Sequence, residues 1–120
     1  MVHREDSILM GLRKGSHGAG TGGHLERGET VAECAARELL EETGVAIHPN
    51  SFQKLTFTND IFTVEDKHYV TLYMAAMWSS DASEPRILEP DKCAEWRWHA
   101  SAPSPLVENL IKGGFDPWGF

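Results

Sequence analysis

Glu38, Glu41 and Glu42 stand at i, i+3 and i+4, a spacing that gathers three carboxylates on one patch of a helix about one turn high. Like charges so placed repel, and a cation offsets the repulsion. Hard divalent cations prefer oxygen donors, and Mg2+ keeps several waters while bridging carboxylates to substrate phosphates. The pattern therefore points to a metal-assisted phosphate site. Most acidic helix faces are merely solvated. This one is set apart by Arg37 beside it and by glycines at both ends of the stretch, Gly22-Gly23 before and Gly44 after.

The helix that must carry these groups is written in its ends. Thr30 followed three residues later by Glu33 is the capping-box pattern, and Gly44 supplies the left-handed residue that commonly stops a helix. Val31, Ala35 and Leu39 recur at four-residue spacing, so one stripe faces a core and the other face is left for charge. Before it, the apolar run over residues 7 to 13 predicts a buried strand and a turn at 14 to 15. Residues 15 to 23 are glycine-rich and serve either as a loop whose backbone approaches phosphate or as a flexible connector.

After the helix, residues 48 to 51 are turn chemistry and 52 to 63 predict a strand that buries Leu55, Phe57 and Ile61. A hairpin turn at 64 to 67 leads to a return strand over 68 to 78. The stretch 81 to 91 contains Glu84-Pro85 and Glu89-Pro90 and reads as loop, and 94 to 99 alternates apolar and polar residues as a strand does. A short helix over 105 to 112 would pack Leu106, Leu110 and Ile111. Strands interrupted by helices predict an α/β sandwich with a mixed sheet.

A chain of 120 residues holds one domain, spanning 1–120. Its net charge of −7 argues against a nucleic-acid polymer, whose binding needs Lys and Arg to neutralise several phosphates. Small phosphate esters remain, because a metal brings its own positive charge. Cys34 and Cys93 lack both zinc-site spacing and the density of a disulfide scaffold, so they read as reduced thiols. No stretch reads as a signal peptide or a membrane span. The expectation is a cytoplasmic protein with no membrane partner.

Taken together, Gly23, five residues, Glu29, seven residues, Arg37-Glu38-Leu39, one residue, Glu41-Glu42, one residue and Gly44-Val45 fill every fixed position of the Nudix box, and the chain resembles the Nudix hydrolases. The resemblance implies an α/β/α sandwich with a mixed sheet. It implies Mg2+ or Mn2+ held by Glu38, Glu41, Glu42 and a backbone carbonyl at Gly22, with Glu29 and Arg37 paired to brace the loop against the helix. His24, beside Gly22 and Gly23, either touches phosphate or is an ordinary exposed loop histidine.

Outside the box, His68-Tyr69-Val70-Thr71, Glu84-Pro85-Arg86, Glu89-Pro90-Asp91-Lys92-Cys93, Trp96-Arg97-Trp98 and Gly114-Phe115-Asp116-Pro117 are similar to the MutT-like branch, thiopurine-nucleotide diphosphatases among them. That likeness places Thr71 in a base pocket. As a residue it equally suits packing within the sheet. The activity implied is Mg2+-dependent hydrolysis of a nucleoside triphosphate, a modified purine nucleotide included, to the monophosphate and pyrophosphate by a homodimer. Glu41 or Glu42 would orient or deprotonate the attacking water. Two other readings stay open: a nucleotide-sugar or dinucleotide polyphosphate pyrophosphatase, and a catalytically weak nucleotide- or metal-binding domain.

The third reading arises from two departures. Relatives carry Trp-x-Leu-Pro immediately before the box glycines, whereas Thr21 here runs straight into Gly22, a loss of about four residues or roughly 13 Å of strand. The chain also begins near the second strand expected of such a domain, so a sheet lacking one or two strands is predicted.

Overall fold

A computed structural model describes residues 1–4, 7–13, 18–19, 21–79 and 81–99, the side chains of 12, 13, 18 and 19 excepted. Within these, the chain runs β1 (Val2–Arg4), β2 (Ser7–Arg13), β3 (Gly18–Ala19), α1 (Val31–Thr43), a 3-10 turn (Pro49–Ser51), β4 (Gln53–Phe62), β5 (Lys67–Met77) and β6 (Cys93–His99). The helix expected over 105 to 112 lies outside the described residues.

The helix is bounded as its sequence requires. Thr30 Oγ1 accepts the Glu33 N–H at 3.1 Å while Glu33 Oε2 accepts the Thr30 N–H at 3.2 Å, so two of the orphan donors at the helix start are satisfied reciprocally. At the other end Gly44 adopts φ 75° and donates its N–H to Leu40 O, a conformation in which a side chain would be strained. Leu39 is fully buried, and Val31 and Ala35 pack beside it against Val2, Leu9, Met74 and Ala76 of the strands.

The strands form one mixed sheet of six. β4 and β5 are an antiparallel hairpin, β1 lies parallel to β5, and β1 and β2 are antiparallel. β6 pairs with β2 from Ile8 to Arg13, while β1 takes the Ser7–Ile8 end of β2 and β3 the Gly11–Leu12 end. Two positions depart from expectation. The polar opening of the chain forms β1, because Val2 is buried and the N–H groups of Ala76 and Trp78 donate to Met1 O and His3 O. The stripe predicted for β4 holds only at Leu55: Phe57 and Ile61 are 38% and 64% exposed. An irregularity between Lys54 and Thr56 breaks the alternation, so Leu55 and Thr56 are both buried and later residues follow a hairpin that runs beyond the sheet's body.

Among the described residues β5 is paired along only part of one edge. Its pairing with β1 is limited to Ala76 and Met77, so residues 67–73 have β4 on one edge and, among the described residues, no strand on the other. A Trp-x-Leu-Pro segment inserted between Thr21 and Gly22 should supply that partner. Burying one Trp and one Leu, each worth roughly 1.5–3 kcal/mol, should raise the thermal midpoint by several degrees. A midpoint that is unchanged or lower would mean that β1 and β3 already complete the sheet.

Candidate active site

Arg37 is the hub at which the helix meets the glycine loop. Its Nε and Nη2 donate to Glu29 Oε2 and Oε1 at 2.6 and 3.1 Å, a bidentate fork that fixes the plane of both groups. Nη2 also donates to the His24 carbonyl at 3.0 Å, and Nη1 reaches Glu38 at 2.7 Å and Glu41 at 3.3 Å. The Arg37 fork, helped by the Glu26 N–H, holds the Glu29 carboxyl down to about 2 from an ordinary 4.5. Glu29 and Glu38 in turn push the guanidinium above its usual range. Arg37 therefore ties the loop at residues 24 and 29 to the helix at 38 and 41.

The loop glycines meet the other carboxylates directly. Glu38 lies so close to Gly23 that a Cβ there would collide with its carboxyl group. The Gly22 N–H donates to Glu42 Oε2 at 3.3 Å. It is the Gly22 N–H that meets the acidic face here. Glu38, Glu41 and Glu42 share one face, yet among the described residues no three His, Cys, Asp or Glu side chains are gathered closely enough to hold a metal ion as placed. Arg37, donating to both Glu38 and Glu41 from one nitrogen, draws those two carboxylates to itself.

Two cavities open beside this face. One of about 450 Å3 is bounded by Glu38, Glu41, Glu42, Lys92 and Trp96. The other, of about 600 Å3, reaches from Glu38 and Glu42 past Gly22, Gly23 and His24 to Tyr69 and Thr71 on β5, a volume within the usual range for small-molecule sites. The His24 and Tyr69 rings face each other at 5.7 Å, so the imidazole bridges loop and sheet. Thr71 lines the cavity and also makes a cross-strand contact, donating its hydroxyl to Asp60 Oδ2 at 2.7 Å.

Tyr69 and Asp60 were not singled out from the sequence. Tyr69 is two residues from Thr71 and shares its side of the strand, a periodicity that was available. Asp60 enters only through the register of the hairpin, in which Thr58 opposes Thr71 and Asp60 opposes Tyr69. Cys34 and Cys93 are free thiols, both buried.

A family profile, the NUDIX domain, matches residues 1–108. Oxidized purine nucleoside triphosphate hydrolase of Mus musculus is 39% identical over 51 residues, covering 39% of this chain and 33% of the relative. Phosphatase NudJ of Escherichia coli K12 is 54% identical over 33 residues, covering 28% and 22%. The matches thus span a third or less of these relatives' own length. Among solved structures, a MutT NUDIX hydrolase from Burkholderia pseudomallei superposes with a TM-score of 0.75 at 27% identity, covering 92% of this chain and 90% of that one.

Two consequences can be measured. Gly23→Ala should displace the Glu38 carboxyl and lower hydrolytic activity while the helix content in circular dichroism stays constant; unaltered activity would free Gly23 of this role. For the Glu29–Arg37 pair, the carboxyl's value is lower folded than unfolded, so its stabilisation is present above about pH 4.5 and is lost as pH falls toward about 2. The gap in urea midpoint between the parent and Arg37→Ala should therefore be widest near neutrality and close over that window.

Proposed function

This chain belongs to the Nudix family, and from that premise we propose that it acts as one domain hydrolysing a nucleoside triphosphate, modified purines included, to the monophosphate and pyrophosphate. The observation that carries the reading is the larger cavity, which joins the carboxylates of Glu38 and Glu42 to the ring of Tyr69 and the side of β5 that bears Thr71. A ligand seated there would bring a charged end to the helix and a planar end to the sheet. The relatives named for oxidized purine triphosphates and for a phosphatase agree with a phosphorylated nucleotide.

The donor chemistry fits a hard divalent cation, since Glu38, Glu41, Glu42 and the Gly22 backbone all offer oxygen. These residues would hold Mg2+ or Mn2+, which when bound polarises phosphoryl oxygens and acidifies water. The chain's own residues do the rest. Arg37 and Glu29 keep the loop at a fixed height above the helix, and Gly23 admits Glu38 to the loop backbone. Glu41 or Glu42 orients the attacking water or accepts its proton, and the water's oxygen bonds to phosphorus as the bond to the leaving group breaks. His24 and Tyr69 border the space for the base.

By the same family resemblance we read the protein as a homodimer. No helix among the described residues is long and apolar enough to cross a membrane, and two buried free thiols support a reducing compartment such as the cytoplasm. A second reading, a domain that binds nucleotide with little turnover, is favoured by the commitment of Glu38 and Glu41 to Arg37.

Pyrophosphate release across a panel of triphosphates in Mg2+, with a nucleotide sugar and a dinucleotide polyphosphate alongside, separates these readings. Release from a triphosphate is expected, and nucleotide binding without product would establish the second reading. Glu42→Gln keeps side-chain volume and removes a charge, so turnover should fall by about 10²–10⁴-fold with the fold retained. Equal kcat in saturating Mg2+ would remove Glu42 from the essential set.

A further inference from the structure

The hairpin wall of the larger cavity carries a polar cluster that the hydrolytic chemistry does not use. Thr58 and Asp60 lie two residues apart on β4 and so share one side of the strand. Thr71 on β5 is the direct cross-strand partner of Thr58. Both hydroxyls converge on a single oxygen: Thr58 Oγ1 and Thr71 Oγ1 each donate to Asp60 Oδ2 at 2.7 Å. Of the three residues, only Thr71 lines the cavity. Tyr69, two residues before it, turns its ring onto His24 of the glycine loop, and Tyr69 and Thr71 both line the cavity.

This arrangement fixes the polarity of the Thr71 hydroxyl. A threonine oxygen has one O–H to donate and two lone pairs to accept with, whereas an ionised carboxylate only accepts. The two hydroxyls hold the Asp60 carboxyl below its ordinary value, Thr71 contributing most, so the group is an anion at neutral pH. The proton of Thr71 must therefore lie on the line to Asp60, and only lone pairs are left to meet a ligand. An amino group on a base finds an acceptor there. A carbonyl or ring-nitrogen acceptor in the same place finds another acceptor, with the Asp60 charge behind it.

We propose that Asp60, acting through Thr71, makes this wall of the cavity selective for a nucleobase that presents an exocyclic amino group. Thr71 is the contact and Asp60 the positioning residue. Thr58 completes the polarisation by filling the other side of the same oxygen. The inference rests on the nucleotide reading above and adds to it the class of base.

Two matched pairs of triphosphates test it, each differing by one amino group: ATP against purine riboside triphosphate, and GTP against inosine triphosphate. Dissociation constants measured by calorimetry without divalent ion make the readout independent of turnover. For the parent, at least one pair should favour the amino-bearing member by about tenfold or more, the factor of a hydrogen bond worth about 1.4 kcal/mol. Thr71→Val should bring that ratio to within about threefold, while Thr71→Ser, which keeps the hydroxyl, should preserve it. Asp60→Ala frees the hydroxyl to donate as well as accept, so the ratio should fall chiefly because the amino-free nucleotide binds better. Because each ratio is taken within one protein, loss of some folded material does not mimic the result. Ratios near one for both pairs in the parent, or a preference that survives Thr71→Val, overturn the proposal, and a preference unmoved by Asp60→Ala removes Asp60 from it. If no nucleotide binds and none releases pyrophosphate in Mg2+, both the proposal and the nucleotide reading fall; pyrophosphate release without base preference overturns the proposal alone.

Discussion

The site depends on one guanidinium. Arg37 makes a two-point contact with Glu29 and, with its remaining hydrogens, ties His24 O, Glu38 and Glu41. An ammonium group has neither the planar fork nor the number of donors to do this. Without the contact, three carboxylates on one helix turn would repel each other and an exposed glycine loop would have little reason to stay over them. The same contact sets the loop's height, and through the loop it sets how closely Gly22 and Gly23 approach Glu42 and Glu38.

That commitment also limits the site. The helix presents oxygen donors suited to a divalent cation, yet two of the three carboxylates are shared with Arg37. Binding an ion there requires those hydrogen bonds to be traded for metal–oxygen bonds, while the Glu29 pair persists to keep the loop in place. The division is legible in the distances: Glu29 takes the fork, whereas Glu38 and Glu41 share the remaining nitrogen. The contact to the loop carboxylate and the contacts to the acidic face thus use different nitrogens of one side chain.

The sheet supplies the other half of the cavity where, among the described residues, β5 has a strand on one edge only. Where β1 stops pairing at Ala76 and Met77, β5 continues with β4 as its one strand neighbour among the described residues, and its residues 69 to 74 line the cavity. A short β1 therefore has two effects of opposite value. It leaves the apolar Val70 of β5 exposed, which forgoes burial, and it opens the cavity in which His24, Tyr69 and Thr71 meet.

The helix and its charged face were determined by the sequence alone. Caps, apolar stripe and charged face all follow from spacing within a few residues, so Thr30, Leu39, Gly44 and the three glutamates fall where the pattern puts them. The family likewise follows from fixed spacings, since the box is a local motif. What only the tertiary structure decided depends on contacts between distant residues. The polar first residues become a strand because the N–H groups of Ala76 in β5 and of Trp78 just past it donate to Met1 O and His3 O, which no local preference reveals. Phe57 and Ile61 stay exposed because a local irregularity shifts the pairing of β4, and alternation by itself assumes that pairing is regular. Asp60 joins Thr71 because hairpin register sets them within reach, across eleven residues of sequence. Register is fixed by the balance of turn, pairing and burial along both strands at once, so it emerges only when the whole hairpin is in place.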